Sequence, residues 1–230
     1  MPDSLIDAWK KVVFEAISSP GLMVGPRKLV RGLRAEFTPG IESIDLRRLG
    51  YTIAKLAQLK RVYWNPDLPM YLKRYAQVKV GNSIAVPMTC GTKQRTSKGH
   101  CMQVFILTKY PKHTEVDLFY RSTELCQKFL ADLVFLNEQF GQLDLPIGTI
   151  TLHISHGYVH TLYGPIFLDL LGKNFLLHCR KHDPRLYNLF VHGCKKYFDD
   201  PVYTYRTRQK MQKRFWQLPE DLIDYLRGLK

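Results

Sequence analysis

Three residues whose side chains can do covalent and acid-base chemistry lie near the middle of the chain: Cys101, Arg121 and Asp132. A cysteine thiolate is a nucleophile, a neighbouring guanidinium stabilises that thiolate, and a carboxylate can accept hydrogen bonds or exchange a proton. Asp132 stands in an otherwise apolar run. Because a buried carboxylate is unfavourable without a partner, we predict that Asp132 contacts either a hydrogen-bond network or a ligand. The ligand is the more specific interpretation.

The elements around these residues follow from hydrophobic periodicity. Residues 102–108 are mainly apolar and residues 116–121 alternate, so both are predicted strands, with a turn at 110–113 between them. The pattern then becomes helical over 124–140, and Asp132 lies on the apolar stripe of that helix. The stripe consists of Leu125, Phe129, Leu136 and Phe140.

The remaining elements are predicted from the same periodicity and from turn-forming residues. They are an amphipathic helix at 2–18, a helix at 43–59, a strand-like stretch at 77–86, a polar loop at 90–100, a strand pair or one bent strand at 148–160, and helix at 167–198 broken at Asp183 and Pro184.

Length and composition indicate one globular domain. A chain of 230 residues with 45% hydrophobic content can bury a sizeable core, so we expect a single α/β or α+β domain over 1–230. No segment is apolar over enough residues to span a membrane. The five cysteines are an odd number without a compact disulfide framework, which favours a reducing, cytoplasmic location.

The net charge of +14 is concentrated near the end of the chain. Residues 171–214 form a basic helical portion that carries eleven Lys and Arg against three Asp. Such a surface attracts phosphate groups or nucleic acid, although excess basic charge is also typical of a solvated, soluble face.

Each candidate residue also has a purely structural interpretation. Cys101 could be a buried, inert cysteine, and Arg121 could pair with Glu124 at a helix start. The histidines at 153, 156 and 160 are expected to be structural or sugar-facing, and no metal is expected there. A zinc site remains an alternative for five residues, because His178 and His182 would share one helical face and His192 and Cys194 would share one strand face. These are His178, Cys179, His182, His192 and Cys194.

The chain resembles the thymidylate synthase and pyrimidine nucleotide hydroxymethylase superfamily, which includes deoxycytidylate and cytidylate hydroxymethylases. The resemblance covers residues 20–165 and rests on five segments with similar spacing. They are the loop Val24-Gly25-Pro26-Arg27, the nucleophile position Cys101, the motif Arg121-Ser122-Thr123-Glu124, Asp132, and the strand segment from Gly148 to His160.

The resemblance implies a thymidylate synthase-like fold, a mixed sheet flanked by helices, and a homodimer. It further implies that Cys101 adds to C6 of a pyrimidine nucleoside monophosphate and that C5 then takes a one-carbon unit from 5,10-methylenetetrahydrofolate. An acid at the position of Asp132 goes with cytosine nucleotides in this superfamily. The residues implied to bind the nucleotide are Arg27, Arg121, Ser122, Asp132, Tyr158 and His160.

The chain also departs from the family pattern. Lys55 stands where a catalytic Glu is expected, Lys128 stands in place of a glycine, and the paired phosphate arginines align with Ser83 and Ile84. The sugar-binding His and Tyr are exchanged, as Tyr158 and His160. These departures leave three outcomes open: an altered substrate, a reaction without folate, or a non-catalytic relative that binds nucleotide or nucleic acid.

Overall fold

A computed structural model of the chain describes residues 4–40, 54, 57, 67–88, 101–126, 128–161, 164–199 and 220–229. In this part the fold is a mixed α/β arrangement of six strands and six helices. In chain order the elements are α1 (Leu5–Ser18), β1 (Leu22–Val24), β2 (Arg27–Phe37), α2 (Leu68–Ala76), β3 (Ser83–Pro87), β4 (Met102–Lys109), β5 (Thr114–Glu124), α3 (Lys128–Gly141), β6 (Ile147–His160), α4 (Gly164–His182), α5 (Pro184–Asp199) and α6 (Glu220–Gly228).

The strands form one sheet in the order β1-β2-β6-β5-β4-β3. β5 and β6 are parallel and are connected through α3, whereas the other neighbouring strands are antiparallel. A parallel pair needs a crossover connection, and α3 supplies it. The first residues of β2 and β4 and the last residues of β5 and β6 consequently lie at the same edge of the sheet.

The buried face of the sheet changes part of the way along three neighbouring strands. At one level of the sheet, two consecutive residues in each strand are not buried, so the alternation of inward-facing residues shifts by one beyond that level. These residues are Arg31 and Gly32 in β2, Arg121 and Ser122 in β5, and Ser155 and His156 in β6. Gly32 has φ 69°, a backbone conformation that favours glycine.

Helix α1, the first element of the described chain, packs against the sheet. The side chain of Ser4 accepts a hydrogen bond from the amide of Asp7 and so caps the helix. Its apolar stripe is buried against β2, β6, α3 and α4, and Trp9 and Ile17 are fully buried in that face. The burial stabilises a helix of 14 residues that would be marginal alone.

Helices α4 and α5 pack against each other, and Asp183, which lies between them, forms a largely buried ion pair with Lys28 of β2. The Nζ of Lys28 lies 2.9 Å from a carboxylate oxygen of Asp183 and donates to the carbonyl of Ile17 at 2.6 Å. Asp183 also accepts a hydrogen bond from the amide of Leu186 at 3.0 Å, which caps α5. The break between α4 and α5 that Asp183 and Pro184 predict is therefore confirmed.

Several predicted elements are confirmed and some boundaries are corrected. The strands predicted at 102–108, 116–121 and 148–160 are present, the last as one continuous strand. The helix predicted to begin at 124 begins at Lys128, because Glu124 is still the last residue of β5. The sequence interpretation missed β1, β2 and α2. The predicted helix at 43–59, apart from residues 54 and 57, and the predicted loop at 90–100 lie outside the described residues.

Candidate functional site

The edge of the sheet where β2 and β4 begin and β5 and β6 end gathers most of the chemically interesting side chains. Arg27 is the first residue of β2, Cys101 directly precedes β4, and Glu124 ends β5. Tyr158 and His160 lie at the end of β6. Residues that are more than 130 positions apart in the sequence therefore share one edge.

Cys101 is the partly exposed cysteine among the four that the structure describes. Its Sγ accepts a hydrogen bond from the Nζ of Lys128, 3.0 Å away. An ammonium at this distance stabilises a thiolate more than it stabilises a thiol. The other described cysteines, Cys126, Cys179 and Cys194, are fully buried, and burial raises the pKa of all three.

The turn between β5 and α3 sets the position of Lys128. The Glu124 carboxylate accepts hydrogen bonds from the amides of Cys126, at 2.9 Å, and Lys128, at 3.1 Å, and so satisfies amides at the start of α3. The amide of Leu125 donates to the carbonyl of Tyr158 at 2.9 Å. The carbonyl of Leu125 accepts from the indole of Trp9 at 2.7 Å. Hydrogen bonds thus connect the turn to both β6 and α1.

Lys128 is half-buried, and neighbouring acidic groups stabilise its positive charge. Burial by itself lowers the pKa of Lys128, but the Asp132 carboxylate one helical turn away and the hydrogen bond with Cys101 together raise that pKa above its ordinary value. The ammonium is therefore protonated at neutral pH. Asp132 itself is completely buried on α3.

Tyr158 lies next to this group of charges. Burial and the Glu124 carboxylate raise the pKa of the Tyr158 phenol, so it is neutral at pH 7. The guanidinium carbon of Arg27 lies 5.7 Å from the centre of the Tyr158 ring, within the range of a cation–π contact. His160 pairs with Arg27 across β2 and β6, and burial together with the Arg27 charge lowers the pKa of the imidazole.

Arg121 and Ser122 lie on the strand beside Cys101. The amide of Arg121 donates to the carbonyl of Cys101 at 2.7 Å, while the Arg121 side chain is exposed. Ser122 is half-buried and pairs with His156 on β6. The cation that contacts the thiol is thus Lys128, which was noted in the sequence only as a departure from the family glycine.

Sequence reasoning missed Lys128 and Glu124 as members of the site. One available signal was their spacing: Lys128 precedes Asp132 by four residues, which places the two side chains on one helical face. A second signal was the acid directly before the helix, because an acidic side chain at that point accepts hydrogen bonds from helix amides.

The zinc alternative is not supported. His192 and Cys194 were expected on one strand face, but both lie on α5. His178 instead forms a hydrogen bond with Ser18, at 2.7 Å, and lies against His182 with ring centres 4.3 Å apart and ring planes tilted by 33°. Within the described residues, no three His, Cys, Asp or Glu side chains are placed to hold a metal ion.

Two of the departures from the family pattern bear on the site. Ser83 and Ile84, aligned with the missing phosphate arginines, lie on β3 at the far side of the sheet order from β2. Lys55, at the expected position of a catalytic Glu, lies outside the described residues.

Comparison with known proteins shows distant structural likeness to solved structures. No protein-family model matches the chain, and no curated protein matches it in sequence. Among solved structures, thymidylate synthase from T4 phage is similar over 49% of this chain, at 9% sequence identity and a TM-score of 0.35. The chain spans 40% of that structure. The likeness concerns part of the fold only.

Proposed function

We propose that the chain binds a pyrimidine nucleoside monophosphate and uses Cys101 to activate C5 of the base for attachment of a one-carbon unit. A cytidylate-type substrate is favoured because an acid, Asp132, stands at the position that faces the base in the family resemblance. The activity would be that of a thymidylate synthase-like or hydroxymethylase-like transferase.

The hydrogen bond between Cys101 and Lys128 is the observation that carries this proposal. A nucleophilic cysteine needs a partly exposed sulfur and a cation that favours the thiolate, and Cys101 has both. The sulfur also lies at the sheet edge that holds Arg27, Tyr158 and His160, so a nucleotide bound there would reach it.

The addition step needs only the Cys101 thiolate and the pyrimidine base. The Cys101 thiolate forms a bond from sulfur to C6, and the C5–C6 π electrons move toward C5 and the neighbouring carbonyl or amidine group. The negative charge of the sulfur thus passes to the base, and C5 becomes nucleophilic. After C5 has formed its new bond to carbon, a base removes the C5 proton, the electrons of that C–H bond restore the C5–C6 double bond, and the Cys101 thiolate leaves from C6.

The remaining site residues would bind the nucleotide. Arg27 and Arg121 are the proposed phosphate ligands, with Ser122 as an additional hydrogen-bond donor. Tyr158 and His160 are proposed to contact the sugar. Asp132 is proposed to read the base, because a carboxylate accepts hydrogen bonds from a cytosine amino group and repels the O4 of uracil.

Methylenetetrahydrofolate is the carbon donor that the family resemblance implies, and we propose it as the source of the one-carbon unit.

The test is covalent trapping with 5-fluoro-2′-deoxycytidine and 5-fluoro-2′-deoxyuridine monophosphates, with and without methylenetetrahydrofolate. Fluorine at C5 cannot leave as a proton does, so the adduct should persist. We expect the intact mass to rise by one nucleotide in the unmodified protein and in Cys126→Ala, but not in Cys101→Ala. Equal labelling of Cys101→Ala, or no labelling in any arm, contradicts the enzymatic proposal.

A second candidate function, nucleic-acid binding, is favoured by the charges at the turn between α4 and α5. Arg180, Lys181 and Arg185 are exposed there. The nearby acid, Asp183, is turned inward to Lys28 and to the amide of Leu186, so its charge is already engaged. Exposed basic residues of this kind suit a phosphate backbone.

Retention on single-stranded DNA at increasing salt tests the second candidate. The unmodified chain should be retained at low salt and released steeply toward physiological salt, whereas a variant with Arg180, Lys181 and Arg185 replaced by Ser should be released earlier. Lys73 and Arg74 on α2, also exposed, give the matched control variant when both are replaced by Ser. Release of both variants at the same salt concentration would mean that the surface at the α4–α5 turn is solvated and does not bind nucleic acid specifically.

The assembly and location of the protein are further proposals. A homodimer and a reducing, cytoplasmic location follow from the family resemblance and from the cysteine content, and light scattering would measure the first directly. Among the described helices, none is long and apolar enough to cross a membrane.

A further inference from the structure

Lys128 occupies a position that ordinary helix stability does not favour. It is the first residue of α3. The N-terminal end of a helix carries a partial positive charge, so a lysine there is less favourable than an acid or a neutral residue. A lysine present only for solubility would extend into water, yet this side chain is half-buried and points to the Sγ of Cys101.

Acidic groups on both sides of Lys128 offset this unfavourable position. Glu124 accepts the hydrogen bond of the Lys128 amide, so the backbone is satisfied without the side chain. Asp132 follows one turn later on the same helix, and its charge favours the ammonium form. The side chain of Lys128 is thereby left to interact with the sulfur.

The Tyr158 phenol does not compete as an anion with Cys101 for the Lys128 ammonium at neutral pH. The phenol lies among Lys128, Cys101 and Glu124, and burial first, then the Glu124 charge, raise its pKa. A neutral phenol does not attract a cation as an anion does. The sulfur of Cys101 is the group that accepts a hydrogen bond from the ammonium at the sheet edge.

We propose that Lys128 is a catalytic residue that stabilises the thiolate form of Cys101 through the hydrogen bond to its sulfur, and that Asp132, one helical turn further on, is a positioning residue that directs the Lys128 side chain toward the sulfur. The role in catalysis rests on the function proposed above. When the sulfur adds to C6 its charge is lost, and the ammonium is released to lie beside the anionic base that the addition forms. Asp132 thus acts on the thiol through Lys128, in addition to any contact with the base.

The reactivity of Cys101 toward iodoacetamide tests this proposal without any nucleotide. The experiment uses the full chain with Cys90→Ser, since Cys90 lies outside the described residues and the other three cysteines are buried. Alkylation at pH 7 is followed by intact mass and peptide mapping. Lys128→Met, Lys128→Arg and Asp132→Asn are compared with Lys112→Met, an exposed lysine in the turn between β4 and β5.

We expect Lys128→Met to alkylate about tenfold more slowly, because each tenfold change in the thiolate fraction gives a tenfold change in rate. Lys128→Arg keeps a cation and should recover much of that loss. Asp132→Asn should be slowed about two- to threefold, a smaller effect because the charge acts through Lys128. Lys112→Met should match the unmodified chain. Melting temperatures of all variants show whether each is folded.

The outcomes separate this proposal from the proposed function. Folded Lys128→Met that alkylates at the unmodified rate contradicts the role of Lys128, and so does Lys128→Arg that is as slow as Lys128→Met. If the alkylation rates follow the expected order but no 5-fluoropyrimidine adduct forms, the activation of Cys101 by Lys128 stands and the nucleotide substrate is wrong.

Discussion

The guanidinium of Arg27 lies over the ring of Tyr158, with its central carbon 5.7 Å from the ring centre. The contact joins the first residue of β2 to a residue near the end of β6. It holds the guanidinium at the edge of the sheet where Cys101 lies. A cation–π contact of this kind is worth about 0.5–1 kcal/mol at an exposed site. Its main effect is to order a long side chain before any ligand binds, which reduces the entropy lost on binding.

Arg27→Gln should weaken binding of cytidine and uridine monophosphates by about 10- to 100-fold, because a hydrogen bond to a charged group is worth about 1.5–3 kcal/mol. The corresponding nucleosides, which lack the phosphate, should bind both proteins alike. Isothermal titration measures both. Arg34→Gln is the control, since Arg34 lies on the same strand and pairs with Glu36. Equal losses for nucleoside and nucleotide would remove Arg27 from the phosphate site.

Asp132→Asn should shift binding from cytosine toward uracil nucleotides by about 1–3 kcal/mol, since an amide can donate to O4 where a carboxylate cannot. The melting temperature should change by only a few degrees. Titration with the ribo and deoxy forms of both monophosphates measures the ratio. An unchanged ratio with a large loss of stability would make Asp132 a structural residue.

Trp9→Phe should lower the free energy of unfolding by about 1–3 kcal/mol, because the buried carbonyl of Leu125 loses its indole donor. Urea unfolding measures the change. Since the same turn positions Lys128, alkylation of Cys101 should also change in this variant. A Trp9→Phe protein with unchanged stability and unchanged Cys101 reactivity would show that the turn is fixed by Glu124 and Tyr158 alone.

Lys28→Met should destabilise the fold by about 3–5 kcal/mol, because it leaves the Asp183 carboxylate without the ammonium that it faces in the interior. The double variant Lys28→Met with Asp183→Asn should recover part of this loss, since the amide oxygen can still cap α5. Urea midpoints of the two single variants and the double variant give the coupling. Additive single effects would mean that the pair contributes no interaction of its own.

Stability should fall on mild acidification because of His160 and His178. Burial, with the Arg27 charge in the case of His160, lowers the pKa of both imidazoles below the ordinary 6.5. The unfolded chain therefore binds more protons than the folded chain as pH falls through 6.5, and stability is lost below that pH and regained above it. Replacing both residues by Gln should flatten the dependence of the urea midpoint between pH 7 and 5. Replacing the exposed His192 by Gln should leave it unchanged.

The strands next to the thiol were predictable from the sequence, whereas the start of α3 was not. Apolar alternation marks β4 and β5 directly, and a long apolar stripe marks the body of α3. Leu125 fits that stripe by spacing, so the predicted helix begins at 124 and includes residues that form the end of β5 and a turn. What decides the boundary is tertiary: the Glu124 side chain bonds to amides of the turn and helix, and Leu125 bonds to Trp9 and Tyr158.

β2 was missed for a related reason. Its alternation is interrupted at Arg31 and Gly32, where the buried face changes, so no single period of two runs through the strand. The identity of Lys128 as a site residue was missed because a pattern compared with a family shows only that a glycine is replaced. The function of the replacement depends on the sulfur that the fold places 3.0 Å away.

The hydrogen bond from Trp9 to Leu125 spans 116 positions of the chain. It makes the first helix a structural support of the thiol edge, although none of the site residues identified above belongs to that helix. Removal of α1 would thus act at a distance on Cys101, because the indole contact with Leu125 would be lost. The reactive cysteine is in this sense a property of the assembled fold, and no continuous fragment of the chain carries it.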